Sequence, residues 1–151
     1  MRGRRVEKGG GQDAQALGRR RGGFGTKVHA AVSGLGRPVA VVLGPGQDAD
    51  VTHAPARLAG RRPAGVVADK GYDSKALVRL IRGRGAAAVI PTRTNSPAPR
   101  AVDPDLYRER NLVERFWAKA EPHRRVATRY EKTAGNHRAF AHVASVMILL
   151  Q

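Results

Sequence analysis

The stretch GVVADKGYDSKALVRLIRGRGAAAVI, residues 65–90, decides the fold class. Residues 65–68 are small and β-branched, which reads as a short buried strand ending at Asp69, and Lys70-Gly71-Tyr72 turns the chain. Asp73 or Ser74 then caps a helix whose Leu77, Leu80 and Ile81 recur at i, i+3 and i+4. Gly83 and Gly85 stop it, and residues 86–90 form the next strand. Two strands joined by a helical crossover lie parallel, with a right-handed connection. The unit is βαβ and the class is α/β. Open α/β sheets hold ligands outside the carboxyl ends of their strands, which makes Asp69 a candidate site residue. The competing reading has Asp69 pair with Lys70 or a nearby arginine, or cap the turn.

Upstream, Val28, Ala30 and Val32 alternate with Lys27 and His29 over residues 26–32, and a period of two marks a strand. Ser33-Gly34-Leu35-Gly36 supplies turn chemistry, and residues 38–43 are a second apolar, β-branched run with Pro38 at its start, so the two pair as a hairpin. Hairpin and βαβ unit together predict a mixed β-sheet flanked by helices. His29, on the polar side of its strand, is expected to face solvent or a hydrogen-bond partner rather than to act as a base. Asp48 and Asp50 read as turn residues, and residues 52–58 as a short helix interrupted early by Pro55. Residues 1–23 carry many Arg and Gly with almost no apolar periodicity, so burial does not offset the entropy of ordering them. They read as a basic, flexible arm, leaving residues 24–151 as one domain. Gly9-Gly10-Gly11 lacks the strand and helix that would make it a phosphate cradle, and Thr26 precedes Lys27 where a Walker motif has it following.

Downstream, residues 91–104 hold four prolines among Thr, Asn and Ser and form an exposed loop whose Arg93 and Arg100 are placed to touch phosphates. Residues 103–125, DPDLYRERNLVERFWAKAEPHRR, read as a helix with Asp103 at its N-cap and Pro104 at its first position. Tyr107, Arg110, Glu114 and Glu121 share one stripe of it, and Leu106, Val113 and Trp117 a second stripe that buries. Glu114 is either a metal-ligating carboxylate on a rigid helix or an exposed partner of Arg110 four residues before it. Pro122 stops the helix, and Arg124, Arg125, Arg129 and Lys132 make a basic segment. Asn136 is expected to cap a last helix with a core stripe of Phe140, Val143, Ala144, Met147 and Ile148.

The chain has 151 residues, with 28 Lys and Arg against 12 Asp and Glu, a formal charge of +16. Such an excess is the electrostatic footprint of a polyanion binder, with nucleic acid the leading partner. There is no cysteine, which excludes disulfides and thiolate metal sites and suits a reducing cytoplasm. Residues 1–11 lack the apolar core of a signal peptide, and the apolar run at 143–150 is too short to span a bilayer. A soluble cytoplasmic protein with no membrane partner is the expectation.

Taken together, several segments resemble a known family. These are Leu17-Gly18-Arg19 with Arg21-Gly22-Gly23-Phe24, Thr26-Lys27-Val28-His29, Pro45-Gly46-Gln47, Ala68-Asp69-Lys70-Gly71-Tyr72-Asp73, Val89-Ile90-Pro91, Arg110-Asn111-Leu112-Val113-Glu114-Arg115-Phe116, and the run from Arg124 to Lys132. In this order and spacing they are similar to the C-terminal part of DDE transposases of bacterial insertion sequences. The resemblance implies an RNase H-like fold, here truncated, in which an Asp-Asp-Glu set holds two divalent ions, Mg2+ or Mn2+, for hydrolysis and strand transfer at transposon ends. It implies that Asp69 is the second catalytic and metal-binding Asp and Glu114 the third carboxylate. Tyr107 and Arg110 match the family's Tyr-x2-Arg-x3-Glu-x6-Lys signature, and with Arg124, Arg125 and Lys132 they are the implied contacts to double-stranded DNA, both transposon ends and target. Two departures stand out: no strand bearing the first Asp precedes residue 24, and Glu121 stands where the signature has lysine. The expectation is a transposase fragment, a gene remnant or the downstream product of a split element, that binds DNA. Its independent catalysis is left open by the missing Asp, and it is completed by an upstream polypeptide or an intact transposase. The alternative is a non-catalytic basic nucleic-acid-binding module or an inhibitor of an intact transposase.

Overall fold

The computed structural model describes residues 11, 14–20 and 23–151. Strand β1 (Gly18–Arg20) pairs antiparallel with β2 (Gly23–Val32), and β2 pairs antiparallel with β3 (Pro38–Pro45) in the hairpin read from the sequence. Gly36 closes the turn at φ 72°, a conformation glycine adopts without steric penalty. A 3-10 turn at Asp50–His53 leads into α1 (Ala54–Leu58), where Pro55 sits in the first turn and so starts the helix instead of interrupting it. Then come β4 (Gly65–Val67), α2 (Lys75–Gly83) and β5 (Ala87–Val89), with β4 and β5 parallel as the crossover requires. Ser74, not Asp73, caps α2 by accepting the Leu77 N–H. Asp73 instead accepts the Arg93 N–H at 2.9 Å and pairs with Arg100, which also donates to the Ile90 carbonyl. Arg100 is thus a brace between loop and sheet, not the free phosphate contact expected from the sequence.

The helix expected over residues 103–125 is two helices, α3 (Pro104–Arg108) and α4 (Asn111–Ala120). Between them the backbone tightens into i to i+3 hydrogen bonds, Arg110 N to Tyr107 O, Leu112 N to Glu109 O and Val113 N to Arg110 O. That tightening turns the buried face of α4 onto Phe116 and Ala120, while Leu106 of the expected core stripe is 47% exposed and Val113 and Trp117 are half-buried. A short α5 (Arg124–Ala127) precedes α6 (Ala134–Leu149), which is capped by Thr133, not Asn136, whose N–H the Thr133 hydroxyl accepts. On α6 the buried residues are His137, Ala141, Ala144, Ser145 and Ile148. Phe140, Val143 and Met147, expected in the core, are exposed.

Two hydrophobic clusters hold these elements. One packs Leu77, Val78 and Ile81 of α2 against Ala54, Ala86 and Ile90, and the other packs Ala30 of β2 against Phe116, Ala120 and Ile148. The class is α/β with sheets flanked by helices, as read. The strands are realised as two ladders, a three-stranded antiparallel sheet in the order β1-β2-β3 and the parallel pair β4-β5, with no ladder between them among the described residues. Within the segment read as an arm, Gly18–Arg20 is paired, Ala16 is buried, and the Ala16 carbonyl accepts from the Thr26 hydroxyl at 2.6 Å. Residues 1–10, 12, 13, 21 and 22 lie outside the described residues. Among those described, no helix is long and apolar enough to cross a membrane.

Candidate catalytic cleft and basic surface

A cleft of about 1390 Å³ lies between β2 on one side and β4 and β5 on the other, with α4 along its rim. Asp69 and Glu114 both border it. Asp69 follows β4 directly and caps a 3-10 turn at Lys70–Tyr72, its Oδ1 accepting the Gly71 N–H at 2.7 Å. It therefore does what the turn-capping reading expected and also borders the cleft. Glu114 lies in the first turn of α4, where Arg110 donates to its Oε1 at 2.6 Å, and the Arg110 guanidinium sits 5.9 Å from the Tyr107 ring. The local arrangement of Tyr107, Arg110 and Glu114 survives the break between α3 and α4. Glu121 forms the exposed C-cap of α4.

Of the expected DNA contacts, Arg124 and Lys132 are exposed. Arg125 is engaged, donating to Glu131 at 2.8 Å and lying 4.6 Å over the Phe140 ring. Burial would raise the Glu131 pKa, but hydrogen bonds from its own backbone and from Arg125 outweigh it and hold the carboxyl below its ordinary value. His137, buried 3.4 Å from Glu131, is lowered by that burial despite the carboxylate beside it. Arg129 is the most connected cation here: it donates to the Gln15 carbonyl at 2.6 Å, to the Thr26 hydroxyl at 2.5 Å and to the Glu131 carbonyl at 2.9 Å. It is a structural brace, lowered by burial and compensated in part by Glu131.

A second cluster on the cleft wall has no signature in the sequence. His29, expected to face solvent or a hydrogen-bond partner, is instead 5% exposed and stacks on His53 at 4.6 Å, with its Nε2 buried and without a hydrogen-bond partner among the described residues. The His53 ring fits because Gly44 has no Cβ; one added there would come within 2.3 Å of His53 Nε2. Asp48 Oδ2 lies within hydrogen-bond distance of His53 Nε2, at 3.0 Å, and Asp50 forms an ion pair with Lys27 at 2.9 Å, so both acids hold side-chain partners as well as turns. Burial, followed by the charges of Arg57 and His53, lowers the His29 pKa to about 4. The Asp50 carboxyl is lowered too: burial opposes, but the hydrogen bond and charge of Lys27 prevail.

Magnesium takes carboxylate oxygens, and Asp69 and Glu114 are donors of that kind. Among the described residues, however, no three His, Cys, Asp or Glu side chains converge in a group able to hold a metal ion. The pair fits a divalent ion in chemistry and not in number, so no reaction step is derived through one.

The family described as the transposase DDE domain matches residues 3–149. The chain belongs to that family. Two proteins named as putative transposases are similar to this DDE-domain chain: that of insertion sequence element IS6501 from Brucella ovis, 37% identical over 131 residues, covers 83% of this chain and 98% of its own length. That of insertion sequence element IS402 from Burkholderia cepacia is 33% identical over 136 residues, covering 82% of this chain and 62% of its own length. The transposase domain described here thus spans nearly all of one relative and under two thirds of the other. No solved structure matches.

Proposed function

We propose that this transposase-family chain supplies the second and third carboxylates, Asp69 and Glu114, of a two-metal phosphodiester-cleaving site. In this reading it binds double-stranded DNA at transposon ends through its basic surface, and it cuts only when another segment provides the first Asp. The observation that carries the reading is that two carboxylates from separate parts of the chain border one cleft. Phosphoryl transfer needs charge neutralised on both the attacking and leaving oxygens, which a pair of metal ions supplies when bound. Arg110 positions Glu114 by its ion pair, and Tyr107 supports Arg110 from below. The exposed Arg124 and Lys132 supply the DNA-facing charge, with Arg125 holding Glu131 and contributing its flank.

The test uses the purified chain with labelled terminal DNA of its own element and Mg2+ or Mn2+. The chain binds and does not cut alone; adding the upstream polypeptide, fused or separate, restores cleavage that Asp69→Ala or Glu114→Ala then abolishes. Because one lost electrostatic element in such a site costs about 3 kcal/mol and about 1.4 kcal/mol is tenfold in rate, residual cutting sits near background. Cleavage by the chain alone refutes the completion requirement. The Arg110–Glu114 ion pair favours a second reading, a non-catalytic DNA-binding module or inhibitor in which Glu114 is only a helix partner. Under that reading no upstream segment restores cutting.

A further inference from the structure

Helix α2 carries its cations where they weaken it. Lys75 occupies the first helical position, where the positive end of the helix dipole favours an acid, and the first turn holds no acid. Arg79 follows Lys75 by four residues and Arg82 follows Arg79 by three, so two like-charge pairs share one stripe and repel. Only Arg82, in the last turn, sits where the dipole favours it. All three residues are exposed, and none has an acidic partner among the described residues. Residues 74–102 contain no Asp or Glu, and α1 and β5, which pack against α2, carry none either. The acids just before the helix are held elsewhere: Asp69 borders the cleft, and Asp73 pairs with Arg100. Arg84 is also engaged, donating to the Leu58 carbonyl at 2.7 Å. An ordinary solvated face intersperses both signs. A stripe of one sign that opposes its own helix breaks local consistency, as functional surfaces do.

The stripe also points away from the cleft. Leu77 of the same helix borders the cleft, whereas Lys75, Arg79 and Arg82 do not. At about 100° per residue the three stand about 140–160° around the helix from Leu77. A duplex seated at the cleft does not reach them, because a helix with its side chains is only about 10–12 Å across and DNA bends smoothly over about 150 base pairs. Along the axis the stripe extends about 10 Å, a length that faces about three phosphates of one DNA strand.

We propose that the outer face of α2 docks a second DNA duplex, separate from the one at the cleft, through Lys75, Arg79 and Arg82. Cations that meet only phosphates read no bases, so this duplex is held without sequence preference. That suits the target of strand transfer and not the transposon end. The phosphates relieve the repulsion along the stripe, which the folded chain leaves uncompensated. The proposal rests on the proposed function only for the target role; docking itself is measured without cleavage.

The probe is a short DNA duplex of arbitrary sequence, and the readout is reductive methylation of the lysines of the full chain, followed site by site by mass spectrometry. Excess duplex at low salt is expected to slow methylation of Lys75 by about fivefold or more, together with that of Lys132, and rising salt to remove the protection. Arg79→Gln with Arg82→Gln is expected to lose the protection of Lys75 and keep that of Lys132. Arg124→Gln with Lys132→Gln is expected to keep the protection of Lys75. The proposal is overturned if Lys75 is methylated at the same rate with and without duplex. It is also overturned if the Arg124→Gln, Lys132→Gln variant loses the protection of Lys75, since one duplex then spans both surfaces. Stronger protection of Lys75 by anionic lipid vesicles or by structured RNA assigns the face to that partner and overturns the proposal as well. In the completed enzyme, Arg79→Gln with Arg82→Gln is expected to spare cleavage at the transposon end and to lower strand transfer about tenfold. Equal loss of both steps removes the target role and leaves docking standing. No cleavage by the completed enzyme, with Lys75 still protected, sinks the proposed function alone.

Discussion

Acidifying the protein through the range in which His29 would normally titrate should destabilise it, and the size of the effect follows from where that ring sits. The ring is 5% exposed, stacked on His53, and faced by Arg57, Lys27 and Asp50, and its Nε2 is buried without a hydrogen-bond partner among the described residues. Its pKa falls from 6.5 to about 4, so the unfolded chain takes up the proton first. Stability is therefore full above pH 6.5 and is lost as pH falls toward 4. Each tenfold weakening of proton affinity on folding corresponds to about 1.4 kcal/mol, so the loss across the window approaches about 3 kcal/mol. That is a large share of the roughly 5–15 kcal/mol that holds a domain together, and it lowers the melting temperature by roughly 6–12 °C. Asp50, Asp73 and Glu131, whose carboxyls are also lowered, add their own loss at the acid end of the window, where the unfolded carboxyls begin to take up protons, so the histidine's share is read on its upper side, above about pH 5. The assay is urea unfolding of the parent and of His29→Asn at pH values stepped from about 7.5 to about 4.5. The variant should lose most of the pH slope, keeping the smaller part that His137 contributes through its own burial. An identical slope in parent and variant would refute the reasoning.

Two further outcomes follow from the same geometry. Phe116→Ala empties a position 4% exposed in the cluster of Ala30, Ala120 and Ile148 and should cost about 3–5 kcal/mol in urea unfolding, whereas Leu106→Ala, at a residue 47% exposed, should cost less than about 1 kcal/mol. Affinity for DNA should fall steeply with salt, and Glu121→Lys should strengthen it and steepen the logarithmic salt slope by about one, as fluorescence anisotropy at several salt concentrations would register; an unchanged slope removes position 121 from the interface.

The hairpin and the βαβ unit are legible because their signals are local: alternation in residues 26–32, and Leu77 with Ile81 between two apolar runs. The break between α3 and α4 is not, since Arg108-Glu109-Arg110-Asn111 carries neither Gly nor Pro and every residue of it tolerates a helix. Its consequence, burial shifting to Phe116 and Ala120, is set by packing against β2 and α6. His29 escapes a sequence reading because alternation identifies a second face without saying what covers it, and here the 3-10 turn at Asp50–His53 does. Asp69 is legible as a strand-end carboxylate, and its turn-capping alternative is equally real. The reach of Arg129 to Gln15 and Thr26 has no signature at all, because nothing in a sequence couples residues so far apart.

That reach has a bearing on how the protein is made. Gln15 and Thr26 are synthesised early and Arg129 late, and at roughly 5–20 residues per second the antiparallel hairpin spends seconds outside the ribosome before the guanidinium that fastens it emerges. Its long-range contacts raise the contact order and delay completion until translation is nearly finished. A message broken or shifted in frame before codon 129 would release a chain whose sheet can form but cannot be locked to the C-terminal helices. Proteolysis would find such products open and clear them, so a brace synthesised this late also serves to distinguish nearly finished chains from early-aborted ones.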